Sequence, residues 1–118
     1  MTYKRVSTKA RYEPVPKNAK IADITHADTN KHTLDLAAAL SETRKIISVL
    51  IGPQRIGGTG FFRMYPNEGA MGLPNWAYGG SSMFYNIIIA DATNRLQYDL
   101  SVANDDFDVY CYGYVVEA

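Results

Sequence analysis

Four side chains able to bind a metal or move a proton crowd one polar segment: His26, Asp28, His32 and Asp35. Their i+2 and i+6 spacings match no zinc pattern, and no cysteine is nearby to anchor a structural site. The segment therefore reads as a solvated polar turn. Asp105, Asp106 and Asp108 invite calcium, but the glycine and distal glutamate of a calcium loop are missing. They read better as the charged start of a strand, which discourages pairing with foreign strands. Gly57-Gly58-Thr59-Gly60 resembles a phosphate cradle only on the surface: no P-loop lysine follows, and the segment joins two strands. It is expected to be a tight turn. For nucleophilic catalysis the chain offers Ser48, Ser81, Ser82 and Cys111, with only His26 and His32 as imidazole bases. No G-x-S-x-G elbow is present, and Cys111 lies among apolar neighbours as a small core side chain would. The expectation is no catalytic residue, no metal ligand, no cofactor and no enzyme activity.

Binding chemistry is better represented. Trp76, Tyr78, Tyr85, Tyr110 and Tyr112 form an aromatic population larger than a core of this size needs. Such residues anchor subunit interfaces. They also stack on sugars, or they simply cover the open end of a fold. Charge is unevenly placed. Residues 1–20 hold Lys4, Arg5, Lys9, Arg11, Lys17 and Lys20 against Glu13, a net +5 that leaves −5 on the remainder of a neutral chain. A basic arm on an acidic body suits docking on an acidic surface. A solubilising terminus is the plainer reading. Nucleic acid is not expected, because the body would repel phosphate.

The elements that must position these residues are strands. The 118 residues suffice for one domain that buries roughly two-thirds of its unfolded surface. Nine tyrosines and nine glycines suit strands and tight turns. One cysteine excludes an internal disulfide. No signal-peptide pattern and no membrane-length apolar run is visible, so synthesis in a reducing host cytoplasm is expected.

Residues 45–66 organise the pattern. Ile46, Ile47, Val49, Leu50 and Ile51 form a strand that Gly52-Pro53 is expected to end, and residues 61–65 resume as a strand with Phe62 and Met64 inward. Residues 1–20, interrupted by Pro14 and Pro16, read as an extended arm or edge strand, and the domain proper as 21–118. Further strands are expected at 21–24, 32–36, 75–78, 84–90, 95–102 and 107–116, with one helical turn at 37–42. In the 95–102 strand, Leu96, Tyr98, Leu100 and Val102 share a face. In the last, Phe107, Val109 and Cys111 face opposite to Asp108, Tyr110 and Tyr112. This is an all-β, antiparallel β-sandwich of jelly-roll-like type, with seven or eight strands and an N-terminal arm.

Four features in order give this pattern a family likeness: Asp35-Leu36 ahead of Lys45-Ile46-Ile47; Gly60-Phe61-Phe62-Arg63-Met64-Tyr65-Pro66; Asn86-Ile87-Ile88-Ile89; and Asp106 entering a strand that ends Gly113-Tyr114. Together they resemble a small β-sandwich domain of phage virion proteins, of the decoration or fibre-head type, also found in bacterial extracellular repeat proteins. The similarity spans residues 33–116. One departure is Tyr110, where the family usually has an acidic residue three positions before the glycine. The resemblance implies a non-enzymatic, often trimeric module at the surface of phage particles. Residues 1–32 then form an added attachment arm.

The expected function is a capsid decoration (cement) protein or head-fibre module. It would form a homotrimer and dock on the major capsid protein or another virion protein through its arm. It would reside in the virion and need no membrane. The alternative is a receptor- or glycan-binding tail-fibre tip that uses Trp76 and Tyr78.

Overall fold

The computed structural model describes residues 10–14, 19–65, 76–78, 86–90 and 92–117, with the backbone alone for 76–78 and 86–89. Nine strands and one short helix occur among them. In chain order these are β1 (Ala10–Pro14), β2 (Lys20–Thr25), β3 (His32–Asp35), α1 (Leu36–Leu40), β4 (Ile46–Gly57), β5 (Phe62–Tyr65), β6 (Trp76–Tyr78), β7 (Asn86–Ile89), β8 (Arg95–Leu100) and β9 (Asp106–Glu117). β1 is the ninth, added to the eight expected within the domain.

The strands pair in a nested way. β2 pairs with β9, β3 with β8, β4 with β7 and β5 with β6, all antiparallel. Such a folded-over ribbon is then rolled: β4 closes onto β9 and β5 onto β8. The result is a five-stranded sheet in the order β1-β9-β4-β7, with β2 also on β9, and a four-stranded sheet β3-β8-β5-β6. This is the jelly-roll arrangement of two packed antiparallel sheets. β1 and β2 lie end to end along one edge of β9, β1 beside residues 113–117 and β2 beside 106–110.

Alternation drives the packing. Ile24, Ile46, Val49, Ile51, Phe107, Val109 and Val116 of one sheet meet Leu34, Phe62, Met64, Leu96, Tyr98 and Leu100 of the other, with Leu36 beneath α1. Phe62 stacks on Tyr98 with ring centroids 5.2 Å apart, and tilts against Phe107 at 5.4 Å, so one aromatic joins both sheets. Phe62 and Met64 point inward as expected, and Cys111 is fully buried.

Two expectations are corrected. Gly52-Pro53 does not end the central strand, because β4 continues to Gly57 and Pro53 pairs with Val109. β7 reaches only to Ile51 on the other side. Among the described residues, that side of β4 therefore has no ladder partner at Pro53, and the missing N–H forfeits no bond there. Val102 leaves the inward face: β8 stops at Leu100, and Val102 turns out to 42% exposure.

Helix α1 is a single turn starting at Leu36. Asp35 caps it, accepting from the Ala38 N–H at 3.3 Å, and Ser41 ends it at φ 51°.

Candidate interaction surface

The β4–β9 ladder shifts register three times, once at Ile56 and twice beside residues 111–116 of β9, and the latter two decide which side chains there face out. One extra residue on β4, at Ile47, and one on β9, at Tyr112, interrupt their ladder. Without them, period two would carry Val115 into the core. With them, Val116 is fully buried and Val115 lies on the outer side with Gly113, Ser48 and Leu50. The bulge at Tyr112 also leaves that ring 45% exposed.

β1 completes this outer face. Four of its five residues are exposed, and none belongs to the hydrophobic core. Tyr12, opposite Val115, lays its ring on Gly113: a Cβ at position 113 would meet the phenol oxygen at 2.2 Å and the ring at 2.5 Å. Beside the ring lies a depression of about 180 Å³ lined by Tyr12, Ser48, Leu50, Gly113 and Val115, among others. Tyr12 is 51% exposed. The face thus presents a half-exposed tyrosine beside a largely aliphatic hollow, which is the composition of an association surface.

The far half of the same sheet is charged. The carboxylates of Asp23, Asp106 and Asp108 gather within 4.8 Å of one another. Burial, then the hydrogen bond with Asp23, raises the Asp108 pKa, and that same bond lowers the pKa of Asp23. Lys20 approaches Asp23 at 3.1 Å and Asp108 at 3.8 Å. The Lys20 ammonium thus offsets part of the negative charge of the group. Asp105 is separate and buried, accepting the Gly60 N–H at 2.6 Å. Gly58, at φ 104°, passes so close to that carboxylate that a Cβ would fall 1.9 Å from Oδ1, which explains the glycines of this turn.

The polar segment forms a stack. The His26 and His32 rings lie 3.5 Å apart and within 5° of parallel. His26 Nε2 meets the Tyr98 hydroxyl at 2.8 Å, and His32 Nε2 meets Asp28 at 2.8 Å. Lone pairs of parallel rings do not converge on one ion, so this geometry holds a turn against β8 better than it holds a metal. Asp35 is engaged as the cap of α1.

The aromatic candidates divide between the sheets. Tyr110 and Tyr112 stand on β9, whereas Trp76 and Tyr78 belong to β6 of the other sheet, in register with Met64 and Phe62. Tyr85 lies outside the described residues, as do Lys4, Arg5, Lys9 and Lys17. Arg11 is exposed on β1 and paired with Glu13 at 3.2 Å, and Lys20 is the lysine of the carboxylate group.

The chain matches no protein-family model and no curated protein.

Sequence reasoning missed Tyr12 and the cluster that ties β1 to the body. Arg44 bonds Glu13 of β1 at 3.1 Å and Glu42 at 2.6 Å, and the Tyr114 hydroxyl donates to Glu42 at 3.0 Å. Apart from the local Glu42–Arg44 pair, these partners are remote in sequence and carry no motif. A hint was available only for Tyr12, an aromatic between charged residues in a strand-like run.

Cys111 has no exposure, and burial pushes its thiol up to about 11, so at neutral pH it is a protonated core group and a poor nucleophile.

Proposed function

We propose that this protein is a non-enzymatic structural module of a phage particle, a capsid decoration (cement) protein or head-fibre module. It self-associates through the outer face of its five-stranded sheet and docks through the basic arm that precedes β1. The observation that carries this reading is the face itself. Tyr12 borders a largely aliphatic hollow on the strand into which the basic residues lead, and a second half-exposed tyrosine, Tyr112, stands on the neighbouring strand. The fold supports it at the level of analogy, since viral capsid proteins and lectins both use jelly rolls and a fold alone does not select a function.

In mechanism, three copies close a ring through these faces, leaving no open association surface. Lys4, Arg5 and Lys9 then contact an acidic outer surface of the capsid. Each contact is weak, but three linked arms raise the effective concentration and hence the avidity.

Light scattering on the purified protein is expected to give the mass of three chains. Antibody labelling is expected to find the chain on the outside of particles from an infected host, and to lose it when residues 1–9 are deleted. A monomer in solution together with unlabelled particles overturns the proposal.

A further inference from the structure

We infer that β1 is an exchangeable strand: the groove it occupies along β9 accepts Ala10–Pro14 of a second copy of this chain. Three observations converge. First, β1 is bound to the body only peripherally. It pairs with β9 over five residues, sets Tyr12 on Gly113 and joins Glu13 to Arg44, yet adds nothing to the core. A strand that leaves no hole on departure exposes little apolar surface while it moves.

Second, the socket fits this segment through backbone and one ring. The three atoms nearest to a Cβ at position 113 all belong to Tyr12, so the missing side chain makes room for β1. Its φ lies outside the left-handed region, so the backbone there does not itself require glycine. The occupant of the groove is thus known, and any copy of the chain supplies it. This is strand addition at a sheet edge, with main-chain bonds for affinity and one aromatic for register.

Third, the connection is longer than the closed form requires. Pro14 stands opposite Gly113 and Lys20 opposite Tyr110, so the six-residue step from 14 to 20 covers only three positions of β9. A chain of that length extends to about 20 Å, and three strand positions cover about 10 Å. The connection is therefore about twice as long as the step it spans. Closed and exchanged forms make the same β1–β9 contacts, and a connection of this length can carry the strand to a neighbouring copy. Passed one way around a ring, the strand links each copy to the next without a free socket. The inference concerns copies of the chain in solution and does not depend on the particle reading.

Cross-linking of the full chain tests it. Ala10 and Glu117 are exposed Cα partners in register, at a separation a disulfide can bridge. A tagged Ala10→Cys variant is mixed with an untagged Glu117→Cys variant, both reduced, and then oxidised. The expected main covalent product is the mixed dimer, in excess over either symmetric one. Adding Gly113→Ala to the Glu117→Cys partner is expected to cut its yield several-fold, with the far-UV spectrum unchanged. Mixed dimer no more abundant than the symmetric dimers, or indifferent to Gly113→Ala, overturns the inference. So does a double variant that closes within single chains while the mixture stays monomeric.

Discussion

Glu42 is 9% exposed and accepts from five donors: the Thr43 and Arg44 N–H groups, Nε and Nη2 of Arg44, and the Tyr114 hydroxyl. The Arg44 side chain first, then its N–H, pulls the carboxyl down to about 2. Glu42→Gln keeps the shape and removes the charge, and is expected to lower stability by about 2 kcal/mol in a denaturant titration. Because the folded value is depressed, the wild-type contribution is complete above the ordinary 4.5 and disappears as pH falls toward about 2. His26 acts with the same sign at higher pH. Burial, then the adjacent His32, lowers its pKa below 6.5, so the folded state prefers it neutral. Its contribution is whole above pH 6.5 and is lost as pH drops through the lowered value. Asp28 and Tyr98 are the other titratable groups facing the stack. Melting temperature is expected to fall between pH 7 and pH 5 in the wild type and to fall less in His32→Phe, which keeps a ring in the stack but removes the neighbour that helps lower the His26 value. Equal slopes would sever the stack from acid sensitivity.

β4 and β9 form the spine, and their bulges show how an element can be legible while its facing is not. Strand propensity and alternation mark both from sequence alone. The insertions at Ile47 and Tyr112 come in no recognisable residue type, yet they decide that Val116 is core and Val115 surface. Pro53 misled for a related reason: proline forbids a ladder bond on its own side only, and which side lacks a neighbour depends on where β7 stops. β5 was easier, since every second residue is large and apolar. Phe62→Ala is expected to cost about 3–5 kcal/mol, read as a lower denaturant midpoint, because the ring touches both sheets. A cost below 1 kcal/mol would mean that the sheets close over the gap.

At the scale of the molecule, the body and its arm make separable predictions. Removing residues 1–9 is expected to leave the melting temperature within about 2 °C, since the described core is built from residues 24–116, while particle labelling is lost. What residues alone determined was the class of fold and much of its core. Burial alternates with period two, and that period is written locally in Phe62 and Met64, in Leu96, Tyr98 and Leu100, and in Phe107 and Val109. What only the tertiary structure decided was which distant groups meet: His26 with Tyr98, Tyr114 with Glu42, Tyr12 with Gly113. A nested roll brings the two ends of the chain together on β9, and no local periodicity encodes a pairing made across so many residues.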